Sequence, residues 1–236
     1  MIQNREEFLT TIGQSLGRPV NTTKKPERNW KYAPQKKGYE GLTNDELLAI
    51  LEVQCKNIHT DVVKTTASQL PQILDQVVEN YNGGSISMWQ DPRFEQYQLQ
   101  NLYNDQWIEK GYNVHLWKEE LADQNIQNAE KANIGITFAE NVLAESGTVV
   151  LYSNQHHGKS VGLLPTNFVA IVKKSTIVPR MTQVSEALTK RVENGEVLPS
   201  AIDFVSGPSN SADIEMKLVV GVHGPIHATY IVLTDQ

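Results

Sequence analysis

The stretch NIGITFAENVLAESGTVVLY, residues Asn133 to Tyr152, decides how the chain is read. Asn133-Ile134-Gly135-Ile136 is short, apolar and β-branched, as a buried strand is. Thr137-Phe138-Ala139-Glu140 then looks like a capped helix start, and Asn141 to Glu145 is rich in helix formers, which predicts about two helical turns ended by Gly147. Thr148-Val149-Val150-Leu151-Tyr152 is a second strand. A strand, a helix and a strand within twenty residues imply parallel pairing.

The same alternation continues on both sides. Thr43-Asn44-Asp45-Glu46 is a capping box and predicts a helix to about His59. A second helix is expected from Gln69 to Tyr81, a strand over Ser85–Trp89, a helical stretch from Phe94 to Lys110, and a strand over Tyr112–Trp117. Downstream, Phe168–Val172 is a strand, Thr182–Asn194 a helix, Ile202–Val205 a strand and Ile226–Leu233 the last strand. A short helix is expected between those last two. The fold class is therefore α/β, a mostly parallel sheet with helices on both faces.

Before the globular part, Asn4 to Leu16 predicts a helix. Asn4 is placed to cap it with Glu7 three residues on, and Phe8, Ile12 and Leu16 share one face. Gly17-Arg18-Pro19 stops it. Val20 to Gly41 is an arm carrying Lys24, Lys25, Arg28, Lys31, Lys36 and Lys37, with too little apolar content to fold alone. Trp30, Tyr32 and Tyr39 could pin it to a neighbouring surface. The expected organisation is residues 1–41 as helix and arm and 42–236 as the α/β domain, the arm serving either as a tether or in association with partners or a second copy.

Of 236 residues, 39% are hydrophobic and the net charge is −6, which supplies a core and argues against broad nucleic-acid or anionic-membrane binding. The single cysteine, Cys55, sits in a helical pattern and reads as a buried structural thiol, so neither a disulfide framework nor a cysteine-ligated cluster or zinc site is expected in this chain. With no apolar leader and no run of about 18 apolar residues, the chain is expected to be soluble, cytoplasmic and without a membrane span.

Ligands of parallel sheets bind where the carboxyl ends of strands enter loops. Two segments are candidates. In Ser206–Pro225, Gly207 lets a ligand approach the backbone, while Ser209, Asn210 and Ser211 are placed either to cap the expected helix or to face an anion beside its N–H groups. Asp213 and Glu215 follow in its first turns, too close in sequence to share a face as an acid/base pair. His223, between glycines on the return loop, is a donor tunable near neutral pH. In the second segment, Glu145 sits in an expected last helical turn, at odds with the helix dipole, with Thr148 just after it. These predict Glu145 and His223 as catalytic groups lying at one cavity. The loop Asn154–Lys159 reads as a polar hairpin rather than a metal site, with Lys159 able to reach an anion.

Taken together, Ile134-Gly-Ile-Thr-Phe-Ala-Glu140, Ala144-Glu-Ser-Gly-Thr148, Leu163-Leu-Pro165, Ile177-Val-Pro179, Ser206-Gly-Pro-Ser209 with Ala212-Asp-Ile-Glu215, and Gly221-Val-His-Gly-Pro225 resemble the lactate utilisation protein C family, whose core is the LUD domain. The Asn4-to-Gly17 helix and the arm also resemble that family's N-terminus. The resemblance implies a fold like the ribose-phosphate isomerase, glucosamine-phosphate deaminase and CoA-transferase group. It implies a subunit of a bacterial system oxidising L-lactate to pyruvate, with iron–sulfur clusters in partner subunits and none here. A small anion such as lactate, pyruvate or a phosphate would suit the site. His156-His157-Gly158-Lys159 departs from the Gly/Asn-rich basic turn that members tend to have. Glu145-Ser146-Gly147 also resembles the Glu-x-Gly element of CoA-transferases, in which the Glu is the nucleophile. The alternatives are therefore a stand-alone enzyme acting on a phosphorylated or CoA-linked substrate, and a purely structural assembly subunit.

Overall fold

The structure, a computed structural model, describes residues 4–18, 31–213 and 216–236. The chain divides into two compact units, Met1–Lys37 and Gly38–Gln236. In the first unit, α1 covers Arg5–Ser15. Asn4 does not cap it as expected: the residue is left-handed (φ 58°) and its side chain makes no cap hydrogen bond. Phe8, Ile12 and Leu16 are exposed. Lys24, Lys25, Arg28 and Trp30 of the arm lie outside the described residues, as do Ile214 and Glu215 of the second unit.

The second unit opens with α2, Asn44–Asn57, and here the capping box forms. The Glu46 N–H donates to Thr43 Oγ1 at 3.3 Å, and the Thr43 N–H to Glu46 Oε2 at 2.8 Å. Then come β1 (Thr60–Thr65), α3 (Leu70–Asn80), β2 (Ser85–Met88), α4 (Arg93–Gln96), α5 (Trp107–Glu109), β3 (Asn113–Leu116), α6 (Asp123–Lys131), β4 (Ile134–Phe138), β5 (Asn141–Leu143), β6 (Thr148–Ser153), α7 (Ser160–Leu163), β7 (Asn167–Lys173), β8 (Ile177–Val178), α8 (Met181–Glu193), β9 (Ala201–Val205), β10 (Asn210–Ser211), β11 (Val219–Val220) and β12 (His227–Leu233).

Six strands form one sheet in the order β1-β12-β7-β4-β2-β3, with every neighbouring pair parallel. All of β4 and the first six residues of β7 are buried, so successive side chains pointing to opposite faces are both covered. This is the α/β architecture expected, with β1 as an edge strand that the sequence reading missed. The core includes Trp89, Trp107, Tyr230, Phe94, Phe138 and Phe168, all fully buried.

Two predicted helices are replaced and a third is interrupted. Asn141 to Gly147 is a strand and tight turn: β5 pairs antiparallel with β6 and parallel with β8, and β9 completes a second sheet in the order β8-β5-β6-β9. Val142 and Leu143 are buried between those partners, and pairing outweighs their helical propensity. The stretch from Phe94 to Lys110 is broken by a left-handed Gln98 (φ 57°) and a π-helical turn over Leu102–Gln106. The segment after β9 is no helix. It is a hairpin, with Asn210 opposite Val220 and Ser211 opposite Val219.

Candidate functional site

The two segments singled out in the sequence do meet. Thr148 Oγ1 shares hydrogen bonds with Ser146 Oγ at 2.6 Å and Ser206 Oγ at 2.7 Å. The buried Tyr230 hydroxyl accepts from the Gly207 N–H at 3.1 Å and has the Gly147 and Val205 carbonyls at 3.0 and 3.3 Å. Burial pushes that phenol's pKa up, so it stays a neutral donor and acceptor. Gly207 (φ +67°) is a packing glycine: a Cβ there would stand 2.5 Å from Thr60 Oγ1 and 2.7 Å from the Ile58 carbonyl. Glu145, partly exposed, pairs with Arg180 Nη2 at 2.8 Å.

The geometry assumed for the other residues changes. Ser209, Asn210 and Ser211 stand at no helix start. The Ser209 N–H donates to the Pro225 carbonyl (2.8 Å), Asn210 Nδ2 to the Pro208 carbonyl (3.0 Å), and the Ser211 hydroxyl to Asp213 Oδ2 (3.3 Å). The helical N–H groups expected to hold an anion are therefore replaced by a hairpin whose donors are already engaged. Asp213 lies in the hairpin turn, and Glu215 is outside the described residues. His223 is exposed between β11 and β12, and Lys159 is exposed just before the single turn of α7.

The region also sits at the other end of the sheet from the one expected. The Ile226 N–H donates to Thr166 O (2.7 Å), and His227 pairs with Asn167, the first residue of β7. The segment thus leads into the amino ends of β12 and β7, and Gly207 abuts the start of β1. The cause is topological: β9, which feeds the segment, belongs to the second sheet rather than the parallel one.

At the carboxyl ends the structure assembles a different set of groups. The chain leaves β2 for the edge strand β3 and returns as β4 on the other side of β2, which makes the mouth between β2 and β4 a switch point. Asp91 and Arg93 follow β2, and Glu140 follows β4. Arg93 Nε meets both Asp91 carboxylate oxygens at 2.9 and 3.0 Å; its Nη2 meets Asp91 Oδ2 at 2.6 Å and Glu140 Oε1 at 2.7 Å. The guanidinium also lies over the Phe138 ring, 4.9 Å from its centroid. Burial works to raise the Asp91 carboxyl, but the hydrogen bonds and charge of Arg93 outweigh it and hold it below the usual carboxylate value.

The departure loop closes this end. His157 Nε2 lies 3.2 Å from Asp91 Oδ2, and its ring stacks on Trp89 at 4.5 Å. Trp89 Nε1 donates to the Gly158 carbonyl (2.9 Å), Trp117 Nε1 to the Gln155 carbonyl (3.1 Å), and the Gln90 N–H to the His156 carbonyl (3.2 Å). Burial lowers the His157 pKa despite the pull of Asp91. The two adjacent histidines are thus held by a tryptophan floor, and no metal-binding cluster of three ligands occurs among the described residues. The sequence carried one faint signal for this end, the Trp89–Arg93 run straight after a strand, whose members reveal their partners only in three dimensions.

A parallel α/β sheet with a second small sheet, and with motif segments joined at Thr148, Ser206 and Tyr230, defines the class, and the comparisons supply the family. The LUD domain family model matches residues 48–233, and the chain belongs to that family. Lactate utilization protein C of Geobacillus sp. (strain WCH70) is 48% identical over 235 residues, covering 100% of this chain and 98% of that protein. The protein of the same name from Bacillus subtilis (strain 168) is 47% identical over the same extent. The one from Macrococcus caseolyticus (strain JCSC5402) is 48% identical over 236 residues. A crystal structure of a DUF162 family protein from Deinococcus radiodurans superposes with a TM-score of 0.54 at 18% identity, covering 82% of this chain and 99% of that one, a likeness of fold.

Proposed function

We propose that this protein serves bacterial lactate utilisation as a subunit of the system that oxidises L-lactate to pyruvate. It carries no iron–sulfur cluster and works in the cytoplasm beside cluster-bearing partner subunits. The observation that carries the reading is the end-to-end identity of 47–48% with proteins named lactate utilization protein C. The cysteine chemistry supports the cluster-free half: the one thiol, Cys55, is buried, and burial pushes its pKa up to about 12, far from the thiolate a cluster requires. Among the described residues no helix is long and apolar enough to cross a membrane.

Within that reading, a small anion such as lactate, pyruvate or phosphate is proposed for the region where the Glu145–Thr148 turn meets the Ser206–Gly207 loop. Arg180, ion-paired with Glu145, is on the Glu145 side of this region, and His223 lies on the hairpin's return loop. Deleting the coding sequence should abolish growth on L-lactate and leave growth on glucose intact, with recovery on complementation. Affinity purification at native expression should co-purify iron-containing partners. Normal growth on lactate in a strain with no other lactate dehydrogenase overturns the role, and a tagged chain that purifies alone overturns the partnership in favour of a stand-alone enzyme.

A further inference from the structure

The carboxyl end of β2 and β3 opens into a cavity of about 360 Å³ that the lactate reading does not use. Its apolar walls are Trp89, Phe94, Tyr103 and Leu116. Its polar lining is Gln90, Asp91, Glu95 and His156. This is the size and composition of a small-molecule site, mostly apolar with a few convergent polar groups.

The charge of the lining is one-sided. It holds no lysine or arginine and two carboxylates, Asp91, which Arg93 pairs, and Glu95. The nearby guanidinium of Arg93 is engaged by Asp91 and Glu140. His157, behind Trp89, is made harder to protonate by burial. The Tyr103 phenol is pushed up by burial and then by the charge of Glu95, which places those two groups within mutual influence. His156 lines the same cavity with its Nδ1 buried and without a hydrogen-bond partner.

The backbone departs from regularity at the same place. Tyr103 is presented by the π-helical turn Leu102–Gln106, and the helix before it is ended by the left-handed Gln98. Both irregularities interrupt a segment whose sequence suits a continuous helix, and π-turns recur at functional sites.

We propose that this cavity binds a small aromatic amine or N–H-bearing heteroaromatic, neutral or cationic, and rejects its carboxylate counterpart. The ring lies against Trp89, Phe94 and Tyr103, and the donor or positive end faces Glu95. The inference goes beyond the lactate reading and does not depend on it, because its test needs only the purified chain. Phenethylamine and 3-phenylpropionate present one ring with opposite charges. Ligand-observed NMR titration of the full chain should show phenethylamine binding at least about tenfold more tightly, a preference set mainly by the Glu95 carboxylate. Leu116→Trp, which fills the cavity, should abolish binding. Glu95→Gln, at an exposed residue that leaves the fold intact, should cut the preference to about threefold. Equal or tighter binding of 3-phenylpropionate, no saturable binding of either probe, or a preference unchanged in Glu95→Gln would each overturn the proposal.

Discussion

Replacing Tyr230 by Phe removes one oxygen atom from a side chain with no solvent exposure. That oxygen accepts from the Gly207 N–H and lies within bonding distance of the Gly147 and Val205 carbonyls. Gly207 and Gly147 are themselves buried, so water cannot replace the lost partner. An orphaned buried polar group costs ~1–3 kcal/mol, and at least one donor and one acceptor are orphaned here, so the variant should lose about 2–4 kcal/mol. For a chain of this length that corresponds to a fall in Tm of roughly 5–15 °C. Urea unfolding followed by tryptophan fluorescence gives the free energy, with an unchanged m-value as the check that the unfolded state is the same. Because the hydroxyl ties the Glu145–Thr148 turn to the loop after β9, the loss should be accompanied by faster proteolysis there. A loss below about 1 kcal/mol would refute the idea that this single hydroxyl joins the two motif segments.

Three further outcomes are expected. Gly207→Ala should destabilise strongly, since the new methyl meets the Ile58 carbonyl at 2.7 Å in a left-handed conformation, and thermal unfolding against the wild type checks it. His157 is harder to protonate folded than unfolded, so its contribution is complete above about pH 6.5 and is lost as pH falls toward its depressed folded pKa; His157→Phe should flatten that part of the stability–pH curve measured by urea unfolding. Exposed His223→Ala and partly exposed Glu145→Gln should each change stability by less than about 1 kcal/mol while slowing growth on L-lactate in a complemented deletion strain. Wild-type growth of both variants would remove these residues from the proposed site.

Much of the frame was legible. The capping box at Thr43–Glu46 marked α2 because both partners lie within four residues. The apolar, β-branched runs at Ile134, Phe168 and Ile226 marked β4, β7 and β12, which are buried on both faces and so carry continuous apolar sequence. The Glu145–Thr148 and Ser206–Gly207 segments, both marked as candidates in the sequence, meet through Thr148, Ser206 and Tyr230. The end of the sheet at which they meet was not legible, because that depends on which sheet β9 joins. Beyond the faint Trp89–Arg93 signal, the charged cluster at the other mouth was not legible: Asp91, Arg93, Glu140 and His157 are spread over 67 positions of sequence, and each reads as an ordinary surface residue alone.

By itself the sequence determined that this is an acidic α/β protein with one cysteine and a parallel core, since composition and local periodicity act residue by residue. Tertiary structure decided whether Asn141–Leu143 and Ser209–Ser211 would be helix or strand. Such segments are too short for their own propensity to outweigh a pairing partner, and β6, β8 and β11 supply that partner. It also decided where charge is buried: Arg93, already paired with Asp91 two residues away, reaches Glu140 only once β2 and β4 lie side by side, and that adjacency is a long-range property no local pattern encodes.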